Sequence, residues 1–189
     1  MRTTLGRLAL AALTAAALAT VPGGVAHADG TPVGIQLAPA PTGLTVSQPA
    51  VEVTLTGTST PGSTLSGALG DTTVTDGRGT LLGWTVTAIT SGDLVSTTDP
   101  GHTISLGTTP VGGPLTVNVP SLSTVGASLL AGVAPGAGGA LNPSTPVVLA
   151  TALPGVGAGS YTYNPALSFR VPANTRAETY RTVVIQTVA

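Results

Sequence analysis

The chain has no cysteine, no lysine, one tryptophan, one phenylalanine and three tyrosines in 189 residues. Lack of cysteine excludes a disulfide framework, a thiolate nucleophile and a cysteine-ligated zinc centre. Charge is equally scarce, at 7% of residues. Four arginines follow residue 28, too few to neutralise a run of phosphates, so neither nucleic-acid binding nor a polybasic membrane patch is expected. Acid–base chemistry has little to draw on. One of the two histidines, His102, lies beyond the N-terminal leader, in the turn sequence Asp99-Pro100-Gly101-His102. A serine or threonine nucleophile would need that ring and an acid beside it, and no G-x-S-x-G elbow occurs. Asp71, Asp76, Asp93 and Asp99 lack D-x-D-x-D spacing, so they read as turn residues and not as calcium ligands. Gly136-Ala137-Gly138-Gly139 lacks the Lys-Ser/Thr of a phosphate loop. These absences predict no catalytic residues, no metal and no cofactor.

What is present begins with an export signal. Arg2 and Arg7 form a basic start, residues 8–21 an apolar helical stretch too short to span a bilayer comfortably, and Ala26-His27-Ala28 a small-x-small cleavage site. Cleavage between Ala28 and Asp29 leaves four arginines against seven acids, a formal charge of −3 and no expected membrane span. Residues 29–43, rich in proline and alanine, read as a flexible lead-in to a single domain over 44–189. Leu153-Pro154-Gly155-Val156-Gly157 has no Thr-Gly in the register of a sortase site. Any wall association is therefore expected to be non-covalent.

Glycines and prolines recur at short intervals and leave no room for a long helix. Between them the chain alternates: Val51, Val53 and Leu55; Leu115, Val117 and Val119; Leu167, Phe169 and Val171 each skip a polar neighbour. Period two predicts half-buried strands. Residues 81–89 and 179–188 carry apolar groups on both faces and read as interior strands. Residues 132–146 read as a low-complexity loop. The expectation is an all-β chain, a single β-sandwich of Ig-like or Greek-key type with eight to ten short strands, preceded by the helical signal peptide.

The one tryptophan stands in Asp76-Gly77-Arg78-Gly79-Thr80-Leu81-Leu82-Gly83-Trp84-Thr85-Val86. Asp76 and Arg78 read as a turn-stabilising pair or as ligand contacts. Alternation with Val86 and Ala88 makes Trp84 a core anchor or, failing that, an exposed ring for a sugar. Tyr161 and Tyr163, two apart after a glycine run, read as packing residues or as a glycan-binding ledge.

This run resembles the first signature of the WxL family of bacterial cell-surface domains, in which a D-x-R-G turn leads into G-W-x-hydrophobic; here Asp76, Arg78, Gly83 and Trp84 fill it. Gly155 to Tyr163, then Leu167-Ser168-Phe169-Arg170-Val171-Pro172, resembles the family's G-x-G-x-Y and L-x-x-x-V-P stretches. Residues 178–188 resemble its C-terminal strand, with Gln186 where a second tryptophan is usual. The ordered match spans residues 44–189, and the alanine-rich leader points to a divergent, actinobacterial branch. The resemblance implies a secreted, non-enzymatic domain held at the cell wall, with peptidoglycan or another wall polymer as partner and Trp84, Tyr161 and Tyr163 as contacts. The alternative partner is another surface protein, joined by strand addition at a sheet edge.

Overall fold

Short period-two segments cannot satisfy their own backbone groups, so each must find a neighbouring strand. In the computed structural model they do so in four antiparallel sheets. The structure describes residues 43–49, 52–107, 113–126 and 128–189, all within one compact unit, Leu37–Ala189. The leader, its Ala28–Asp29 junction and nearly all of the lead-in lie outside these residues. No helix occurs among the described residues.

The first sheet runs in the order β1 (Leu44–Ser47), β3 (Thr72–Asp76), β12 (Gly159–Tyr163), β8 (Leu122–Val125). The second runs β10 (Gly139–Ala140), β7 (Leu115–Asn118), β13 (Ala166–Arg170), β2 (Thr64–Ala68). The third runs β15 (Val184–Val188), β4 (Trp84–Thr90), β11 (Val147–Ala152), β9 (Val133–Pro135). The fourth holds β14 (Tyr180–Arg181), β5 (Leu94–Ser96) and β6 (Thr103–Ile104).

The second sheet continues the first. Residues 69–71, 164–165 and 119–121 each interrupt what would be one long strand, and Pro120 and Pro165 withhold the donors a ladder needs there. Leu69 N donates to Pro165 O at 2.9 Å across this crease. β4 and β15 lead into β5 and β14 in the same way, with Ser91 N donating to Val183 O at 2.8 Å. These interruptions explain why fifteen strands are seen where eight to ten are expected.

Three further expectations are corrected. Residues 52–55 form no strand; the segment meets β2 through the single bridge Thr56–Ser66, while Leu55 packs over Gly67. Residues 132–146 are not a bare loop: they carry β9 and β10 and bury Leu141 and Asn142 completely. Gly138 is required there by a φ of +66° and because a Cβ would meet Asn118 Cα at 3.1 Å, so the low complexity reflects close backbone approach. The C-terminal strand, read as interior, is an edge of the third sheet and exposes Val183 and Ile185. Those outward residues made it look two-sided in sequence.

Candidate functional site

The first and third sheets meet through Trp84 of β4 and Tyr161 of β12, whose ring centroids lie 5.5 Å apart at a tilt of 53°. Trp84 is 3% exposed, Tyr161 1% and Tyr163 2%. None offers a face to a polymer, so their assignment as wall-polymer or partner contacts is corrected. An indole and two phenols are among the largest apolar surfaces this chain has, and the core takes them together with Phe169.

Their polar atoms are consumed internally. Trp84 Nε1 donates to Gly157 O at 2.8 Å. The Tyr161 hydroxyl lies 3.0 Å from both Leu129 O and Ala158 O. The Tyr163 hydroxyl donates to Gln186 Oε1 at 2.7 Å, and Gln186 Nε2 reaches Gln48 Oε1 at 2.8 Å. Gln186, the position where the motif carries tryptophan, thus sits in the core as the partner of a phenol. Burial pushes the pKa of both phenols up and so suppresses their ionisation, and the nearby Asp76 charge adds to the effect at Tyr161.

Asp76 ends β3 and is buried, with its charge met by one residue. Arg78 donates its backbone N and its Nε to Oδ1 at 3.0 Å, and its Nη2 to Oδ2 at 3.0 Å. The same Nη2 donates to Gly83 O at 2.6 Å. Hydrogen bonds from the Arg78 side chain hold the Asp76 carboxyl below the usual carboxylate range, against the opposing effect of burial. Gly83 has a φ of +76°, and a Cβ there would lie 2.9 Å from the Leu153 carbonyl carbon. Asp76 and Arg78 therefore close the loop of residues 77–83 on itself, and Gly83 lets it lie against a second loop, residues 153–158.

A third loop joins them. β3, β8 and β11 all end, and β4, β9 and β12 all begin, at the same end of the sheets, so residues 77–83, 128–132 and 153–158 lie between the first and third sheets above the Trp84–Tyr161 pair. Gly155 N donates to Leu81 O at 2.7 Å, and Leu153 N to Gly132 O at 3.0 Å. Ser160 N donates to Ser128 Oγ at 2.8 Å. This interlocked apex displays apolar side chains: Leu129 is 76% exposed, Leu82 68% and Leu153 61%, with Leu81, Leu130 and Val125 beside them. Leu81 holds a φ of +51°, in the left-handed region that favours glycine and is strained for a leucine.

Sequence reasoning missed these leucines. The signal was Leu81-Leu82 before Gly83, Leu129-Leu130 before Ala131-Gly132, and Leu153 before Pro154-Gly155, apolar residues among glycines; residues 81–89 read as one strand, but β4 starts only at Trp84 and leaves Leu81 and Leu82 in the loop.

Elsewhere, His102 Nδ1 lies 2.9 Å from Glu178 Oε1 and Nε2 3.4 Å from Asp99 Oδ2, which ties the 99–102 turn to β14's approach. Hydrogen bonding from Ser96 first, then His102, holds the Glu178 carboxyl below its ordinary value. No group of three or more metal-ligating side chains occurs among the described residues. An open trough of about 1690 Å³ lies between the second and fourth sheets, lined by Val53, Leu55, Phe169 and Val184 and rimmed by Glu52 and Arg181. No family model and no curated protein matches the chain.

Proposed function

We propose that this chain is a non-enzymatic cell-surface domain of WxL type, a two-layer β-sandwich that associates non-covalently with the cell envelope through its leucine apex. One observation carries the reading: large apolar side chains stand in solvent on three loops that are hydrogen-bonded to one another. Soluble surfaces rarely gather such residues in one place without an interaction to serve. The export-type leader and the order of the motifs support the surface assignment. The buried rings take the stacking role away from Trp84, Tyr161 and Tyr163 and give them another, as the foundation of the apex. Strand addition is the less favoured alternative, since the edge strands of the first and third sheets, β1, β8, β9 and β15, are four, four, three and five residues long and give a partner little ladder to extend.

The test is sedimentation with isolated cell envelopes, comparing the native protein with a triple variant, Leu82→Ser, Leu129→Ser and Leu153→Ser. All three positions are exposed, so stability should change by no more than about 0.5 kcal/mol per site. Loss of sedimentation by the triple variant supports the apex. Equal sedimentation of both proteins overturns it.

A further inference from the structure

The apex has two features that a merely sticky surface would not need. The first is where charge is placed. Among the described residues the apex loops hold one charged side chain, Arg78, and it is neutralised by Asp76. The exposed charges lie away from the apex: Glu52, Asp99, Arg176 and Arg181 lie around the fourth sheet, Arg170 ends β13, and Asp71 stands at the crease before β3. β4, seven residues at about 3.3 Å each, separates the fourth-sheet charges from the apex by roughly 20 Å, and β3, five residues, separates Asp71 from it by roughly 16 Å. The molecule is amphipathic end to end.

The second feature is the state of the backbone. Leu81 O accepts from Gly155 N, Leu130 O from Val133 N at 3.0 Å, Leu153 O from Val156 N at 3.2 Å, and Leu129 O from the Tyr161 hydroxyl at 3.0 Å. Four of the exposed leucines thus have their carbonyls satisfied inside the protein. A protein partner would find few open acceptors at these residues, although protein interfaces ordinarily form a hydrogen bond per roughly 100–200 Å². Hydrocarbon makes the opposite demand: irregular backbone enters it only with its polar groups already paired.

We propose that the ligand of the apex is the surface of a lipid layer, into which Leu82, Leu129 and Leu153 insert while the charged end stays in water. This rests on the apex being the binding site and names what it binds. No helix among the described residues is long and apolar enough to cross a membrane, and the contact inferred is shallow insertion of side chains.

The absence of cysteine allows clean labelling. Leu129→Cys at the apex and Thr98→Cys at the charged end each carry an environment-sensitive fluorophore, on protein purified as cells make it. The probe is vesicles of phosphatidylcholine alone, with and without added anionic phosphatidylglycerol, at low and high salt. The expected result is a blue shift and brightening at position 129 and none at 98, in neutral vesicles, unchanged by salt because no free charge takes part. The serine triple variant should lose roughly tenfold or more in partitioning. Binding that needs the anionic lipid and disappears with salt overturns the proposal, as does no shift at 129 in either vesicle. Apex-dependent sedimentation with delipidated envelope protein, without vesicle binding, assigns a protein partner and also overturns it, while leaving the apex as the binding site.

Discussion

Asp76 carries a buried charge that most chains would avoid, and its partner is supplied two residues away with three bonds. Its carboxyl ionises below the usual range in the folded state, so the folded protein gains stability above the unfolded value, about pH 4, and loses it as pH falls through the lower folded value. Asp76→Asn is therefore expected to flatten the acid limb of stability, measured as thermal midpoint against pH between about pH 2 and pH 5. Tyr161 and Tyr163 act on the alkaline side. Their raised folded-state pKa means the stability they contribute is intact below about pH 10 and is lost as pH rises above it, and tyrosinate absorbance from these two rings should rise together with unfolding. Trp84→Ala removes the largest core side chain and should cost about 3–5 kcal/mol in urea titration. Gln186→Leu orphans the Tyr163 hydroxyl and should cost about 1–3 kcal/mol. The role of Asp76 and Arg78 as a turn pair was legible in sequence because both lie within one turn. Gln186 was not, since its partners Tyr163, Thr72 and Gln48 are distant in the chain and only strand order unites them.

Alternation made β7 and β13 readable, and β4 with them, because each buries every second residue against one layer. It failed at β15, where Val183 and Ile185 point outward, and at residues 52–55, where the pattern exists without a ladder partner of any length. The loops follow different rules. Gly83 is held by sterics as well as by φ, so Gly83→Ala should lower the thermal midpoint sharply and loosen loop 77–83 from loop 153–158, seen as faster amide exchange at Gly155. Leu81 behaves in the opposite sense. Leu81→Gly relieves a left-handed backbone worth about 1–2 kcal/mol, offset by roughly 0.5–1 kcal/mol of added chain entropy in the unfolded state. Its midpoint should not fall, yet its envelope binding should weaken. A residue kept at a backbone cost while exposing an isobutyl group is kept for what that group touches.

At the scale of the molecule, three crossovers at one end concentrate leucines there, and the creased second and fourth sheets carry the charges away from them. This segregation is invisible along the chain, because residues 77–83, 128–132 and 153–158 are brought together by topology alone. A scarcity of aromatic and charged residues explains the division of labour: the few rings are spent on the core, and leucine is what remains for a surface. The central claim is that the apex leucines bind and that the buried rings touch no ligand. It is tested most directly by measuring envelope sedimentation of two variants side by side, both checked for a cooperative melt: Trp84→Leu, which removes the ring, and the Leu82, Leu129 and Leu153 serine triple. The account predicts that Trp84→Leu sediments with native affinity and the triple variant stays in the supernatant. Retention of the triple variant together with loss of Trp84→Leu would contradict it.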